Sequence, residues 1–459
     1  MGPACDNEET LRKMMENGMN VARFNFSHGS YEEHLGRYNR VVKVRDELKL
    51  PVATLFDSKG PEIRFRLFEG GKVTINDGDL FTLTTKEVLG NNTIGSISYK
   101  NLINDVQIGT SILVNDGLIE LKAEKIDDTD IVCRVINGGI ISDRKAINVP
   151  GVHLSLPFLS DVDRRDLEFA MKTGFDFFAL SFVRCAEDVL EVRRLQKEHN
   201  NTSKLIAKIE SQEGVENLDA IIDVADGIMV ARGDMGVEIP FEKVPVVQKD
   251  MISKCLKSGK FVIVATQMLE SMTHNPRPTR AEVNDVANAI FDQTSAVMLS
   301  GESAAGDYPV EAVKTMSRIC HEIEKTTTTG KFEITYNGSN LASSIACAAC
   351  SIASVINADA IIPVSLSGST IRKVSGFRPN IAIIGCSTNE CVCRETSLMW
   401  GVTPVLITEQ ADGEALINEV ISKCKTAGVI KSGNRVVIVA GFPLRIAGAT
   451  NMIRVVDVE

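Results

Sequence analysis

The sequence contains no apolar run that approaches the roughly 20 residues needed to span a membrane. Its first residues, MGPACDNEETLRK, have no apolar core of the type found in signal peptides. The Met1-Gly2 start resembles a myristoylation motif, but Asp6 stands where that motif has Ser or Thr. Basic residues are outnumbered, with 50 Lys and Arg against 60 Asp and Glu, and the net charge of −10 argues against nucleic acid or a bilayer surface as the partner.

Length and cysteine content set further bounds. A chain of 459 residues is too long for one ordinary hydrophobic core, so two or three domains are expected. The 11 cysteines are odd in number and spread through apolar contexts. Without a secretory signal, this distribution predicts reduced thiols and a cytoplasmic protein.

Four short apolar runs in the middle of the chain each end in a charged or hydroxyl side chain. They are KLIAKIE at 204–210, GIMVARGD at 227–234, KFVIVATQ at 260–267 and SAVMLSGE at 295–302. Helix-like stretches of about 20 residues separate them, as alternating β/α units require, and continuous apolar runs are typical of buried parallel strands. In a β/α barrel the chemistry takes place where such strands end. We therefore expect six side chains to meet at one mouth: Lys208, Glu210, Arg232, Asp234, Thr266 and Glu302.

The residue pattern of the sequence changes at two places along the chain. Between residues 67 and 156 the helical periodicity disappears, and Asx-Gly pairs at 76–78, 115–117 and 137–139 predict hairpins in a small inserted β domain. Polar residues at 326–330 and 337–340 mark a second boundary, beyond which apolar strands alternate with helix-like segments, as in an open α/β sheet. We predict an α/β protein with a (β/α)8 TIM barrel at 1–66 and 157–330, the inserted β domain at 67–156 and a C-terminal α/β domain at 331–459.

The candidate site residues also have ordinary structural explanations. Lys208 and Glu210 are two apart and can point the same way, but they would equally form a surface ion pair. Glu210 and Asp234 together offer the carboxylate oxygens that a hard divalent cation prefers. The glycines beside Asp234 can present backbone N–H groups to an anion, or simply form a turn. Thr266 can cap the next helix, and Arg23 can pair with a carboxylate of the protein.

Two loops near the C-terminus have the composition of a phosphate site. SLSGST, at 365–370, follows an apolar strand and opens a helix, and GFPLRIAGATN, at 441–451, follows another strand. Backbone N–H groups at a helix N-terminus favour anions, and two such loops at one end of a sheet would form a ligand crevice. Each loop is also compatible with an ordinary turn.

Many stretches of the chain resemble the pyruvate kinase family, in the order that the family has them. The matching segments are VARFNFSHGS, DSKGPEIR, LSFVR, AKIES, MVARGDMGVEIP, ATQMLESM and MLSGESAAGDYP, followed by SLSGST and NMIRVV. The resemblance covers nearly the whole chain. It implies a β/α barrel, an inserted β lid, a C-terminal regulatory domain and a homotetramer. It also implies phosphoryl transfer from phosphoenolpyruvate to ADP, which gives pyruvate and ATP in glycolysis.

The resemblance assigns roles to individual residues. Glu210 and Asp234 would hold Mg²⁺ or Mn²⁺, and Lys208 would neutralise the phosphoryl group during transfer, where electrostatic stabilisation is most of the catalysis. Thr266 would belong to the proton path that turns enolpyruvate into pyruvate. The substrate-binding groups would be Arg23 for the phosphate of phosphoenolpyruvate, the amides of Gly233 and Asp234 for its carboxylate, and Arg64, His28 and Asn25 for the nucleotide.

The same resemblance implies a monovalent cation and an activator. Four residues match the family's potassium site: Asn25, Ser27, Asp57 and Ser58. Ser58 replaces the commoner Thr, but the ligand there is a backbone carbonyl. Glu62 matches the potassium-dependent branch, whose lysine counterpart substitutes for the charge of K⁺. The SLSGST loop resembles the phosphate loop for a sugar-phosphate activator, which implicates Ser365, Ser367, Gly368, Ser369 and Thr370.

One departure from the family concerns the first barrel strand. Relatives carry a strand ending in a T-I-G-P-A type sequence, whereas this chain opens at Met1-Gly2-Pro3-Ala4. We expect one of eight strands to be missing, which exposes two sheet edges and opens the core unless another segment fills the gap.

The missing strand leaves a second interpretation, a truncated and catalytically impaired regulatory paralogue that binds sugar phosphate. A third is a lyase or mutase that handles phosphoenolpyruvate, against which the lid, Lys208 and Thr266 argue.

Overall fold

A computed structural model describes residues 1–327, 340–444, 446 and 449–459. The predicted boundary at 330/331 lies outside the described residues, as do most of the polar segments beside it and three residues of the 441–451 loop. No helix in the described ranges is both long enough and apolar enough to cross a membrane.

Seven parallel strands form a curled sheet whose spatial order follows the chain. Each inner strand pairs in parallel with both of its neighbours. Most inner-strand residues are fully buried, because one face fills the barrel and the other packs against helices. In sheet order the strands are Val21–Asn25, Ala53–Asp57, Phe177–Leu180, Lys204–Ile209, Gly227–Ala231, Phe261–Ala265 and Ala296–Val297.

Helices connect these strands and share one large apolar cluster with them. The Tyr31–Leu48 helix begins in a capping box formed by Ser30 and Glu33. The Asp161–Thr173 helix begins at the Ser160 cap and ends at Gly174, whose φ of 90° suits glycine. The helices are Glu8–Glu16, Tyr31–Leu48, Asp161–Thr173, Ala186–Glu198, Gln212–Glu216, Leu218–Val224, Arg232–Glu238, Val244–Lys257, Arg280–Phe291, Gly301–Ala304 and Pro309–Thr327.

The sheet has two edges, as expected from the absent first strand. Val21–Asn25 and Ala296–Val297 are its outer strands, and both residues of the second are only half-buried. The N-terminal segment lies beside this gap, where the Met1 amino group donates to the Arg23 carbonyl at 2.5 Å. Gly2 packs so tightly on Ala304 that a Cβ on Gly2 would lie 2.5 Å from the Ala304 carbonyl oxygen. The opened barrel is therefore partly closed at the mouth by residues 1–5.

The region after the second barrel strand folds as a separate β structure with its own apolar core. A seven-stranded sheet contains, in order, Ile63–Arg64, Ala146–Asn148, Ser111–Val114, Ile119–Ile126, Asp130–Asn137, Leu80–Thr84 and Ile94–Ser96. A two-stranded sheet pairs Lys72–Ile75 with Gly139–Ser142, and one short helix spans Leu102–Asp105.

Only one of the three predicted Asx-Gly hairpins is present. The turn at 115–117 joins two directly paired antiparallel strands, with positive φ at Asn115, Asp116 and Gly117. At 76–78 and 137–139 the flanking strands belong to different sheets, so the hairpin prediction is wrong there. The Asx-Gly residues turn the chain at these places, but they do not decide which strands pair. Pairing depends on which face of each strand is buried.

The last quarter of the chain forms an open five-stranded sheet, which confirms the predicted α/β architecture. In sheet order its strands are Val402–Leu406, Ala382–Ser387, Ala360–Pro363, Arg435–Gly441 and Thr450–Asp457, and only the last is antiparallel to its neighbour. Its helices are Leu341–Val355, Ser369–Gly376, Glu390–Thr396 and Gly413–Thr426. This part packs against the amino ends of the barrel strands, where Leu398 enters the barrel core and Arg394 Nε lies 2.8 Å from Asp176 Oδ1.

Candidate active site

The ammonium group of Lys208 is the centre of a buried ionic cluster at the carboxyl ends of the barrel strands. Lys208 Nζ lies 2.9 Å from Glu210 Oε1 and 3.1 Å from Asp57 Oδ1. Asp57 also pairs with Arg23, whose Nε is 2.5 Å from Asp57 Oδ2. The strands that carry Arg23, Asp57 and Lys208 belong to a run of four neighbours in the sheet, with Phe177–Leu180 between the last two, and parallel strands end at the same rim. The predicted juxtaposition of charged strand ends is thus present around Lys208.

Burial and pairing act in opposite directions on the pKa values of this cluster. Burial alone lowers the pKa of Lys208, but the Asp57 and Glu210 carboxylates outweigh it and raise that pKa. For Asp57, burial raises the pKa, and the charges of Arg23 and Lys208 reverse that effect and lower it. Lys208 is therefore firmly cationic at neutral pH, and Asp57 is anionic.

For the carboxylates of Glu210 and Asp234, burial outweighs the pairing with Lys208. Burial raises the pKa of Glu210 to about 7 against the opposing charge of Lys208, and the Asp234 carboxylate adds to this rise. Burial also raises the pKa of Asp234, with contributions from Glu62 and Asp116. A divalent cation bound between Glu210 and Asp234 would lower both pKa values, so the donor set fits Mg²⁺ or Mn²⁺.

These two residues do not form a complete metal cage. Across the described ranges, no group of three or more His, Cys, Asp or Glu side chains is arranged to hold a metal ion. A hard divalent cation commonly binds through one or two carboxylates plus substrate phosphate and water. Glu210 and Asp234 match that incomplete type of site.

Ser181 and Phe182 support the cluster, and the sequence analysis missed both. Ser181 Oγ accepts a hydrogen bond from Lys208 Nζ at 2.7 Å and donates to the Ser58 carbonyl at 2.7 Å. The Phe182 backbone N–H donates to Glu210 Oε2 at 2.6 Å, with Phe182 at a φ of 55° that bulky residues rarely adopt. LSFVR places Ser181 just after a strand, which is the signal that would have found it.

Thr266 faces the first turn of the Arg232–Glu238 helix. Its Oγ1 accepts from the Gly233 N–H at 2.8 Å and donates to the Ala265 carbonyl at 2.6 Å. Thr266 has a φ of 69°, an outlier for a β-branched residue and a feature often found at functional sites. Arg232 fixes this turn, since its guanidinium donates to the Thr266 carbonyl at 2.6 Å and pairs with Asp285 at 2.7 Å.

Glu302 takes no part in the charged cluster. The run at 295–302 forms only the two-residue strand Ala296–Val297, and Glu302 lies in the following short helix. Its carboxylate is fully buried and accepts from the N–H groups of Leu269 at 3.1 Å and Ser300 at 2.6 Å. The expectation that Glu302 joins the other five side chains is wrong, because its charge binds two backbone amides instead.

The four residues that match a potassium site lie on adjacent chain segments. Asn25 is paired in register with Asp57, and the Asn25 side-chain oxygen accepts from the Ser27 N–H at 3.1 Å. Ser58 is buried, and its carbonyl accepts the Ser181 hydroxyl. Glu62 follows these residues in the chain, and its carboxylate lies 2.7 Å from Arg64 Nη2.

The two remaining predicted nucleotide contacts make hydrogen bonds of their own outside the Lys208 ion pairs. Arg64 belongs to the first strand of the inserted β region, where it donates to the Arg144 carbonyl at 2.8 Å. The His28 side chain is exposed, and its carbonyl lies 2.8 Å from Nε2 of His34.

The SLSGST loop and the described part of the 441–451 loop line one cavity of about 70 Å³ at the carboxyl end of the C-terminal sheet. Gly368 has a φ of 76° and precedes the Ser369–Gly376 helix. Thr370 Oγ1 lies 2.7 Å from Thr450 Oγ1, which ties the two loops together. Ser365, Ser367 and Thr370 line the cavity, whereas Gly368 and Ser369 do not.

Comparisons with known proteins agree with this architecture. Residues 1–313 match the family model for the pyruvate kinase barrel domain, and residues 343–456 match that for the pyruvate kinase alpha/beta domain. The chain is 46% identical over 464 residues to a pyruvate kinase of Clostridium acetobutylicum, an alignment that covers 100% of this chain and 98% of the relative. It is 45% identical over 460 residues to a pyruvate kinase of Staphylococcus aureus, covering 99% and 79%.

The solved structure of a pyruvate kinase from Cryptosporidium parvum superimposes with a TM-score of 0.93 at 38% identity, over 100% of this chain and 95% of the other. The sequence matches and the structural match each extend over the barrel, the inserted β region and the C-terminal sheet. The chain belongs to the pyruvate kinase family.

Proposed function

We propose that this chain transfers the phosphoryl group of phosphoenolpyruvate to ADP and releases pyruvate and ATP. The observation that carries the proposal is the buried Lys208 ammonium, held within 3.1 Å of both Asp57 and Glu210 at the barrel mouth. Phosphoryl transfer needs positioned positive charge more than covalent help from the protein. A lysine fixed by two carboxylates and one hydroxyl supplies such a charge without reorganisation.

Residues around Lys208 would bind phosphoenolpyruvate. Arg23 is next to Lys208 through their shared partner Asp57, so the two cations can grip one phosphate. The amides of Gly233 and Asp234 begin a helix, where N–H groups favour the carboxylate of the substrate. The Gly233 N–H donates to Thr266 Oγ1 at 2.8 Å and would exchange that acceptor for the substrate carboxylate. Arg64, His28 and Asn25 would contact the nucleotide as the inserted β region closes over the mouth.

The reaction then exchanges one phosphorus–oxygen bond for another. An oxygen of the ADP β-phosphate attacks phosphorus, and the bond from phosphorus to the enol oxygen breaks with its electron pair left on that oxygen. Lys208 stabilises the charge on the transferring group, which is the main requirement of this chemistry. The enolate of pyruvate next takes a proton at carbon 3, through a water held by the Thr266 hydroxyl.

Two cations would complete the site. Glu210 and Asp234 would hold Mg²⁺ or Mn²⁺, which supplies Lewis-acid stabilisation of phosphoryl oxygens when bound. Potassium would bind at Asn25, Ser27, Asp57 and the Ser58 carbonyl. Glu62 supports the potassium requirement, because its carboxylate leaves the site without the positive charge that a lysine would bring there.

The wider assignments extend the same proposal. Residues 1–66 and 157–330 would be the barrel domain, 67–156 the lid and 331–459 the regulatory domain. The cavity at SLSGST would bind a sugar-phosphate activator. We also propose a homotetramer and a cytoplasmic location, the latter because all eleven cysteines are unpaired, as in a reducing compartment.

The test is pyruvate formation by the purified 459-residue chain from phosphoenolpyruvate and ADP, with a lactate dehydrogenase couple as the readout. Turnover that requires ADP and Mg²⁺, and that rises when K⁺ replaces a large organic cation, is the expected result. Turnover without ADP would indicate a lyase or mutase instead. A folded protein that binds sugar phosphate but shows no turnover in any mixture would overturn the proposal.

A further inference from the structure

A second cleft lies on the opposite side of the barrel from Lys208, against the C-terminal sheet. One wall comes from the amino end of the Phe261–Ala265 strand and from Ser295, and the other from the Ser369–Gly376 helix and the loop at Met399 and Trp400. The cleft is shallow and open to solvent, and it contains about 290 Å³ of space when the adjoining solvent is included. Neither the catalytic proposal nor the activator cavity uses it.

The cleft has a strong excess of positive charge. Three of the described residues that line it are cationic, Lys260, Arg372 and Arg378, and none of the described lining residues is acidic. Two carboxylates near the cleft already have partners, since Glu395 pairs with Lys204 at 3.3 Å and Asp226 pairs with Arg193 at 2.6 Å. Asp226 and Asp223 act on Lys260 from outside the lining, so the lining itself carries three positive charges and no negative one in the described residues.

Arg378 bridges the two walls but keeps one donor unused. Its NH1 donates to the Ser375 carbonyl at 2.7 Å, and its NH2 lies 3.3 Å from Ser295 Oγ on the barrel side. The guanidinium carbon lies 5.2 Å from the centroid of the Trp400 ring. Arg378 Nε is buried without a hydrogen-bond partner, and burial lowers the pKa of this guanidinium to about 9. A buried N–H group without an acceptor costs free energy, and a ligand oxygen that accepts from it would remove that cost.

Arg372 and Lys260 likewise lack an anionic partner among the described residues. Arg372 Nε is buried without a partner, and within the described residues the side chain makes no ion pair. Lys260 donates only to backbone, with Nζ 2.7 Å from the Ala225 carbonyl. Burial lowers the pKa of Lys260; the charges of Asp226 and Asp223 oppose this, and those of Arg372 and Arg193 add to it. An oxyanion between Lys260 and Arg372 would relieve this repulsion.

We propose that this cleft binds a small organic phosphate monoester. The phosphate oxygens would accept hydrogen bonds from Arg372, Arg378 and Lys260, because guanidinium forks match phosphate geometry. The organic part would lie along the apolar wall formed by Phe261, Met399 and Trp400. The site is distinct from the activator cavity, and it stands whether or not the proposed phosphoryl transfer is correct.

The chain supplies its own reporter for this site. Trp400 is the single tryptophan in the sequence, so its emission reports on the cleft without background. Glycerol 3-phosphate, AMP and inorganic phosphate would be titrated into the full chain while Trp400 emission is followed, and calorimetry on the same samples would detect binding that leaves the emission unchanged. A saturable signal with at least one of the two esters is expected.

Four variants locate the binding. Arg372→Gln should weaken ester binding at least about tenfold, the value of one charge-assisted hydrogen bond, and Arg372→Lys should restore part of it. Arg372 makes no hydrogen bond that folding depends on, so both variants should keep the melting temperature of the parent chain. Lys257→Gln removes an exposed charge at the end of the neighbouring helix and should bind normally. Ser367→Glu, which puts a carboxylate into the activator cavity, should also bind normally.

Three results would overturn the proposal. The first is an absence of saturable binding of either ester by emission and by calorimetry. The second is unchanged affinity in Arg372→Gln, or loss of binding in Ser367→Glu alone, which would move the signal to the activator cavity. The third is inorganic phosphate binding as tightly as both esters, which would remove the role of the apolar wall.

Discussion

Replacing Lys208 with methionine is the sharpest perturbation of the proposed chemistry. Methionine keeps most of the side-chain volume but removes the ammonium and its contacts to Asp57, Glu210 and Ser181, at 3.1, 2.9 and 2.7 Å. Removing a single neutral donor from a transition-state site costs about 3–4 kcal/mol, and Lys208 carries a full charge. We therefore expect kcat to fall at least about 10³-fold, which corresponds to roughly 4 kcal/mol.

Stability should fall as well, but less than for most buried ion pairs. Breaking a buried pair by deleting one partner costs about 3–5 kcal/mol, because the remaining charge is uncompensated. Here Arg23 still pairs with Asp57, and burial already raises the pKa of Glu210 to about 7. Glu210 can take up a proton near neutral pH at little cost, so we expect a loss of about 3 kcal/mol, at the lower end of that range.

The same strand provides the control. Lys204 lies at the opposite end of the Lys204–Ile209 strand, where its Nζ is 3.3 Å from Glu395 Oε2. Lys204→Met removes the same charge from the same strand, and kcat should stay within about twofold of the parent, since Lys204 is far from any transferring phosphoryl group. The coupled assay gives kcat and KM for both variants, and thermal unfolding gives their stability. A folded Lys208→Met enzyme with kcat within about tenfold of the parent would refute the electrostatic role.

Three further predictions follow from the site and its surroundings. Thr266→Val should lower kcat about 100-fold with little change in KM, because the proton path loses its hydroxyl; steady-state kinetics measures both. Glu62→Lys should raise turnover in K⁺-free buffer, because the new ammonium supplies charge beside Asp234, whose pKa Glu62 now helps to raise. His34→Phe should make unfolding less sensitive to acid. Burial lowers the pKa of His34 from 6.5, so below that pH the unfolded state binds a proton that the folded state refuses, and stability is lost as pH falls.

Each of these has its own control and contrary result. Thr266→Ser keeps the hydroxyl and should retain activity within about tenfold; equal loss in both variants would contradict the proton-path role. Glu62→Gln removes the carboxylate without adding an ammonium. If Glu62→Gln gained as much turnover in K⁺-free buffer as Glu62→Lys, the lysine ammonium could not be acting in place of K⁺. For His34, the melting temperatures of the parent and of His34→Phe are each measured at about pH 7.5 and about pH 5.5. If the drop on acidification were the same in both proteins, a group other than His34 would cause it.

The sequence predicts those parts of the site that depend on where strands end. Lys208 and Glu210 follow one apolar run and Asp234 follows the next, and parallel pairing then brings them together at the same rim. Ser181 and Phe182 were missed because their roles depend on a hydroxyl aimed across the barrel and on a backbone N–H in a strained turn. Neither feature leaves a periodicity or a distinctive composition.

The errors in the fold have a similar origin. Glu302 ends an apolar run just as Glu210 does, but its strand is only two residues long, and the chain turns it onto backbone amides. The Asx-Gly pairs at 76–78 and 137–139 mark real changes of direction, yet their flanking strands pair elsewhere. Pairing partners depend on contacts distant in sequence, which local turn chemistry does not encode.

The Ser369–Gly376 helix touches both ligand spaces of the C-terminal region. Thr370 in its first turn lines the activator cavity, while Arg372, Ser375 and Gly376 line the cationic cleft, and eight helical residues extend only about 12 Å. Any ligand that moves this helix from one end also changes the free energy of binding at the other. Thermodynamic linkage makes that effect reciprocal, so each ligand must alter the dissociation constant of the other by the same factor. One helix is thus common to the two spaces, and a titration of one at fixed occupancy of the other measures any coupling that the helix transmits.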